Sequence, residues 1–170
     1  MFKKTKNYAA KDQPQKIFDP ARLYSYSLWM LSRRDYTIFE LSQKMKKYQP
    51  DDSIILTTVE KLISLGYLND ERRATNIINS YIKKESSHKI KRRLSEKGVS
   101  KELIEEVINE CINDDIELEM AKNNLLKKFK IYDAEKKQKY CSFLASRGYG
   151  WNIISKSIAF LKEELLNQED

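Results

Sequence analysis
The residues able to do chemistry are few and scattered. His88 is the only histidine of the chain, so no cluster of histidines can hold a metal. It follows Ser86-Ser87 at an expected helix start and reads as a polar first-turn residue. Cys111 and Cys141 have no CxxC partner, which argues against zinc, redox chemistry and a disulfide framework. Gly148-Tyr149-Gly150 is the single GxG, but Ile153 stands where a dinucleotide loop needs its third glycine. No GxxxxGK[ST] run exists. Asp51-Asp52 and Asp114-Asp115 fall at helix boundaries, where capping accounts for them better than paired acid–base catalysis. Trp29, Trp151 and most tyrosines are expected as core or half-buried anchors. No catalytic, cofactor-binding or metal-ligating residue is expected; the chain is read as working by binding.

Charge is then the property to locate. Lys plus Arg number 32 and Asp plus Glu 25, a net charge of +7 over 170 residues. No run approaches the roughly 18–20 apolar residues of a membrane span, and Met1–Ile17 is basic without an apolar core, so no secretory signal is read. A cytoplasmic, monomeric protein with no membrane and no small-molecule substrate is expected. Only 4 Gly and 3 Pro occur, too few turn formers for a many-stranded sandwich or barrel.

The elements that would position the charge are helices. Asp19-Pro20 opens the first, Thr37-Ile38-Phe39-Glu40 is a capping box, and Gly66 is an αL stop. Ile55, Val59, Leu62 and Ile63 are spaced as one helix face. The pattern then recurs. Met45, Ile54, Val59 and Leu62 match Leu94, Leu103, Ile108 and Cys111, 49 residues later, and those match Leu144, Ile153, Ile158 and Leu161, 50 residues later again. Such a period marks a repeat array. The expected fold is all-α: three tandem three-helix units, 20–68, 69–115 and 116–166, in an elongated, curved array, between a flexible basic arm (1–19) and a short tail (167–170).

Counted by helix, the charge separates. The second helices, Thr37–Tyr48, Ser86–Gly98 and Asp133–Arg147, together carry +8; the third helices, Asp51–Leu65, Ser100–Asp115 and Trp151–Leu166, carry −7. Equivalent helices of a stacked array line up, so a basic stripe is expected, with Lys89, Arg92 and Arg93 as its centre and Lys44, Lys47, Lys139, Arg33 and Arg34 along it. Lys97 and Arg147, each before a glycine, are read as complementing helix C-terminal dipoles. Acidic third helices argue against the helix-turn-helix reading, whose recognition helix must approach phosphates.

The same residues carry a family resemblance. Leu31-Ser32-Arg33-Arg34 with Thr37 and Glu40-Leu41, Leu65-Gly66-Tyr67-Leu68-Asn69-Asp70-Glu71-Arg72, Ile90 with Leu94-Ser95-Glu96-Lys97-Gly98-Val99, and Phe143-Leu144-Ala145-Ser146-Arg147-Gly148-Tyr149 resemble, in order, the motifs of the RecX family of bacterial recombination regulators. Arg73 stands where the family usually has Phe, and Ser86-Ser87 where Gly often precedes the middle motif. The resemblance implies a helical modulator that lies in the groove of the RecA filament on single-stranded DNA. It would mostly inhibit ATP hydrolysis, strand exchange and co-protease activity, within DNA repair and the SOS response. Gly66, Tyr67, Leu68, Asp70, Gly98 and Gly148 are read as structural. The alternatives are a general binder of single- or double-stranded DNA and a helical scaffold for another protein.

Overall fold
The computed structural model describes residues 17–166; the basic arm lies almost wholly outside them, as does the tail. All regular structure among the described residues is helical: α1 (Pro20–Arg33), α2 (Ile38–Met45), α3 (Asp52–Ser64), α4 (Asp70–Tyr81), α5 (Ser87–Glu96), α6 (Lys101–Cys111), α7 (Asp114–Lys128), α8 (Lys137–Ser146) and α9 (Trp151–Leu166), with a 3₁₀ turn at Ala134–Lys136 before α8.

Each start has a local cause. Asp19, Thr37, Asp51, Asn69, Ser86, Ser100 and Asn113 accept a bond from the first turn of α1 to α7 in order, supplying partners for amides that a helix leaves unpaired. Three of the stops are glycines at positive φ: Gly66 (74°), Gly98 (74°) and Gly148 (89°). After each, an amide reaches back over the last turn, Tyr67 to the Leu62 carbonyl, Val99 to Leu94 and Tyr149 to Leu144, and an apolar side chain (Leu68, Val99 or Tyr149) is buried.

The helices pack in threes. Leu23, Leu41, Met45, Val59 and Leu62 anchor the core of α1–α3. Ala74, Ile78, Ile90, Leu94 and Ile108 anchor that of α4–α6, and Ala121, Leu125, Tyr140, Leu144 and Leu161 that of α7–α9. Every extended helix–helix packing lies within one triplet. Helices of 8–16 residues are marginal alone; burial of their apolar faces, about 1.5–3 kcal/mol per large side chain, holds them.

Several expectations are corrected. The middle unit's third helix ends at Cys111, not Asp115, because Asn113 caps the next helix; Asp114 and Asp115 are first-turn acids of α7. Asp133 caps the 3₁₀ turn, and α8 begins only at Lys137. With these bounds the second helices carry +5 and the third −4, so the contrast persists at lower amplitude. Ile63 is 43% exposed, at the edge of its helix face. Trp29 (52%) and Trp151 (69%) lie at the surface. Phe18 joins the first core: its amide bonds the Tyr48 carbonyl and its own carbonyl accepts from Gln49 Nε2.

Candidate functional site
The triplets meet at two small polar joints of one design. At the first, the N-terminus of α2 abuts the C-terminus of α5. Thr37 Oγ1 donates to the Lys97 carbonyl at 2.6 Å, Lys97 Nζ lies 2.6 Å from Glu40 Oε1, and Asp70 Oδ1 accepts the Ile38 amide at 2.8 Å. Lys97 therefore ties two units together rather than only complementing a dipole. Arg73 adds its positive charge beside Glu40, and its own buried Nε has no hydrogen-bond partner.

The two carboxyls of this joint are shifted in opposite directions. Burial pushes Glu40 up, but the Lys97 ammonium, the Thr37 amide and Arg73 outweigh it, and the carboxyl sits below the usual glutamate range. Burial dominates at Asp70, with Glu40 adding to it against the Ile38 amide, and the carboxyl is raised. A lowered folded pKa contributes stability that is present above the unfolded value and lost as pH falls through the folded one; a raised carboxyl contributes the reverse. In urea titrations between about pH 3 and pH 7, Glu40→Gln is expected to flatten the acid-side loss of stability and Asp70→Asn to steepen it. Equal slopes in both variants and the parent would contradict this account of the joint.

At the second joint the N-terminus of α5 abuts the C-terminus of α8. The Ser86 amide donates to the Arg147 carbonyl at 3.0 Å, and Glu117 accepts from the Ser87 amide (3.0 Å) and hydroxyl (2.9 Å), taking the part of Asp70. Lys89 stands where Glu40 stood, and Arg147 where Lys97 stood, so two cations replace an ion pair. Lys89 Nζ instead donates to the Ser146 carbonyl (3.1 Å) and lies 3.4 Å from Glu85. The Arg147 guanidinium stacks on Phe143 of its own helix, 3.8 Å from the ring centroid, and its buried Nε has no partner.

The residues expected to form a stripe divide into two kinds. Arg93 is held by Glu85 through Nε (2.6 Å) and Nη2 (2.7 Å) and lies over the Tyr81 ring at 4.3 Å. The Arg93 guanidinium, first through its hydrogen bond and then its charge, holds the Glu85 carboxyl below the usual range despite partial burial. Arg93 is thus fixed in the fold. Lys91 is bonded to Glu105. Arg92 is 67% exposed with only a 3.4 Å approach to Glu96. Lys44, Lys47 and Lys139 are exposed and make no ion pair among the described residues. Arg33 and Arg34 lie against Trp29 (5.1 Å) and Tyr36 (4.2 Å) with their outer faces in solvent. No group of three metal-ligating side chains occurs among the described residues. His88 is exposed beside Arg92. No described helix is long and apolar enough to cross a membrane.

Asp70, read from the sequence as structural, accepts the Ile38 amide across the first joint; Glu85 and Glu117 are the positioning residues that sequence reasoning missed. A signal for Glu117 existed, since Asp70 and Glu117 each stand in the first turns of the helix that opens the following unit. Against known proteins, a family model described as the second three-helix domain of RecX matches residues 69–108, which span α4, α5 and most of α6. The "Regulatory protein RecX" of Acinetobacter baylyi is 33% identical over 147 residues, covering 84% of this chain and 90% of that protein. The chain belongs to the RecX family. A second RecX regulatory protein, from Trichlorobacter lovleyi, is 30% identical over 79% of this chain and 92% of its own length. The crystal structure of RecX from Lactobacillus salivarius superposes with a TM-score of 0.72 at 22% identity, covering 84% of this chain and 96% of that one. A further RecX structure gives 0.68 at 20% identity, covering 80% and 70%. The all-α RecX fold is therefore shared, and the triplet that the family model matches is the one flanked by both joints.

Proposed function
We propose that this RecX-family chain is a monomeric, cytoplasmic regulator that binds the RecA filament on single-stranded DNA and restrains its ATPase, strand exchange and co-protease activity. The observation that carries the reading is the match to RecX regulatory proteins along 84% of the chain. The geometry is compatible with it. Three small units tied by polar joints suit a role in spanning neighbouring subunits of a helical filament. Lys44, Lys47, Lys139, Arg33 and Arg34 are exposed, and Arg92 is mostly in solvent with a 3.4 Å approach to Glu96; these charges suit an acidic protein surface or phosphate. Arg93 supports that surface through Glu85.

The test is a titration of cognate RecA on single-stranded DNA at two salt concentrations. Substoichiometric amounts of the protein are expected to depress ATP hydrolysis, and added salt to weaken the effect by screening. Arg92→Glu with Lys139→Glu is expected to reduce inhibition about tenfold or more, as the loss of two complementary charges implies. Strong, steeply salt-dependent binding to DNA alone with no effect on RecA would favour the general DNA-binding reading. Absence of both at low salt would leave only a scaffold for another partner.

A further inference from the structure
The second joint differs from the first in a way that its structural role leaves unexplained. Both use a capped helix N-terminus, an acid from the next unit and a helix C-terminus ending in glycine. At the first, Glu40 meets Lys97 at 2.6 Å, with Arg73 beside it. At the second, the equivalent positions are Lys89 and Arg147, which cannot pair. Arg147 lies over Phe143, and its Nε is buried without a partner, as is that of Arg73 at the first joint. Beside Lys89 an open cleft of about 210 Å³ remains, lined by His88, Lys89, Arg92, Ala145, Ser146 and Gly148.

No carboxylate lines this cleft. The acids nearby are already engaged, Glu85 and Glu96 in part by the cleft's own cations. Glu85 is bonded twice by Arg93 and lies 3.4 Å from Lys89 Nζ. Glu117 accepts from the amide and hydroxyl of Ser87. Glu96 lies one turn along α5, 3.4 Å from Arg92 Nε, and both of those side chains are mostly in solvent. Glycine at position 148 lets the end of α8 approach α5 closely, since a Cβ there would fall 2.6 Å from Ser86 Oγ and 3.1 Å from Lys89 Cβ. The result is a notch with two cations and an imidazole on one side and helix-end backbone on the other.

We infer that this notch at the joint of the second and third units is a phosphate-binding site, with Lys89 and Arg92 as the charged contacts and His88 at the rim. A phosphate group matches the donors: an ammonium acts as a point charge and a guanidinium as a planar fork, each forming charge-assisted bonds to phosphate oxygens. The phosphate can come from a polynucleotide backbone or from a free phosphoanhydride. The site stands whether or not the chain acts on RecA, because it follows from the joint itself.

His88, as the chain's only histidine, gives an unobstructed probe. Its ring proton signals are followed by NMR in the full chain at low ionic strength, during titration with inorganic pyrophosphate, with a short oligothymidylate, with the same oligomer carrying a neutral methylphosphonate backbone, and with an oligoglutamate peptide. Saturable shifts are expected with pyrophosphate, the charged oligomer or both, and none with the neutral oligomer. Response to the charged oligomer alone identifies the backbone as the source; equal response to pyrophosphate identifies the free anion. Arg92→Gln and Lys89→Gln are each expected to weaken the response about tenfold, the value of one charge-assisted bond. Lys156→Gln on α9 removes the same charge remotely and is expected to leave it unchanged. Amide spectra show which variants keep the fold, and Arg92→Gln alters only a solvent-facing side chain. Unmoved His88 signals, equal weakening by Lys156→Gln, or a response to oligoglutamate alone would overturn the assignment.

Discussion

Gly98→Ala is expected to destabilise the protein by about 2–5 kcal/mol, the sum of backbone strain at positive φ and overpacking. The same substitution at Gly66 is expected to cost only about 1–2 kcal/mol from strain alone. The two glycines share a φ of 74°, so the backbone contribution is matched. Their surroundings are not. A Cβ on residue 66 meets nothing within 4 Å, whereas one on residue 98 falls 2.3 Å from both Cβ and Cγ of Phe39. Because the clash includes the Cβ of Phe39, rotating the ring cannot relieve it; α2 must move off α5. That movement breaks the bonds of the first joint, from Thr37 to the Lys97 carbonyl and from Lys97 to Glu40. Phe39→Gly, which removes the Cβ, should therefore rescue Gly98→Ala more fully than Phe39→Ala, which retains it. Urea midpoints give the stabilities, and hydrogen exchange at the Thr37 and Ile38 amides shows whether the joint has opened. Equal losses at Gly66 and Gly98, or equal rescue by both Phe39 variants, would refute the close approach as the cause.

How far the sequence reveals this molecule depends on the range of the interaction concerned. Thr37 and Glu40 form the capping box that their spacing predicts, because such a box is complete within four residues. The αL glycines are equally local. Errors arise where a local signal has two owners. Asp114-Asp115 could end α6 or begin α7; acids favour a helix N-terminus, and the cap at Asn113 settles it. Ile63 lies about 80° round the helix from Ile55 at 100° per residue, on the margin of the face, where packing rather than periodicity decides. Trp151 takes the place held by Lys101 one unit earlier, a surface position at a helix start, so the repeat itself contained the correction.

The candidate surface is less legible for the same reason. Counting charge by helix identifies α5 as basic, but which cations are available depends on partners far along the chain or across a joint. Arg93 reads like Arg92 in sequence; Glu85 separates them by binding one and not the other. Lys97 looks like a helix-end cation until Glu40, 57 residues away, is placed against it. The charge expected to act outward is thus partly used to assemble the array, and the rest is concentrated on Arg92, the free lysines and the second joint.

Tyr140→Ala tests whether that assembly is modular, and a loss of about 3–5 kcal/mol is expected, the usual cost of emptying a buried aromatic site. Tyr140 is fully buried between Phe129 (4.7 Å) and Tyr132 (5.9 Å), and its hydroxyl accepts the Asp133 amide at 2.9 Å. Tyr140→Phe keeps the ring and leaves that amide without its partner, for about 1–3 kcal/mol. The loss should not spread evenly. The three cores share no side chain, and the second joint is made of a few polar contacts, so each unit has its own stability with a small coupling to its neighbour. Hydrogen exchange read by mass spectrometry should show protection falling through α7–α9 in Tyr140→Ala while α1–α3 stay at the parent level. The α5 amides nearest Ser86 and Ser87 should respond in part, since their partners Arg147 and Glu117 belong to the unfolding unit. Parallel loss of protection in α1–α3 would instead mean that the joints transmit more energy than their contacts account for, and that the molecule unfolds as one body despite its three cores.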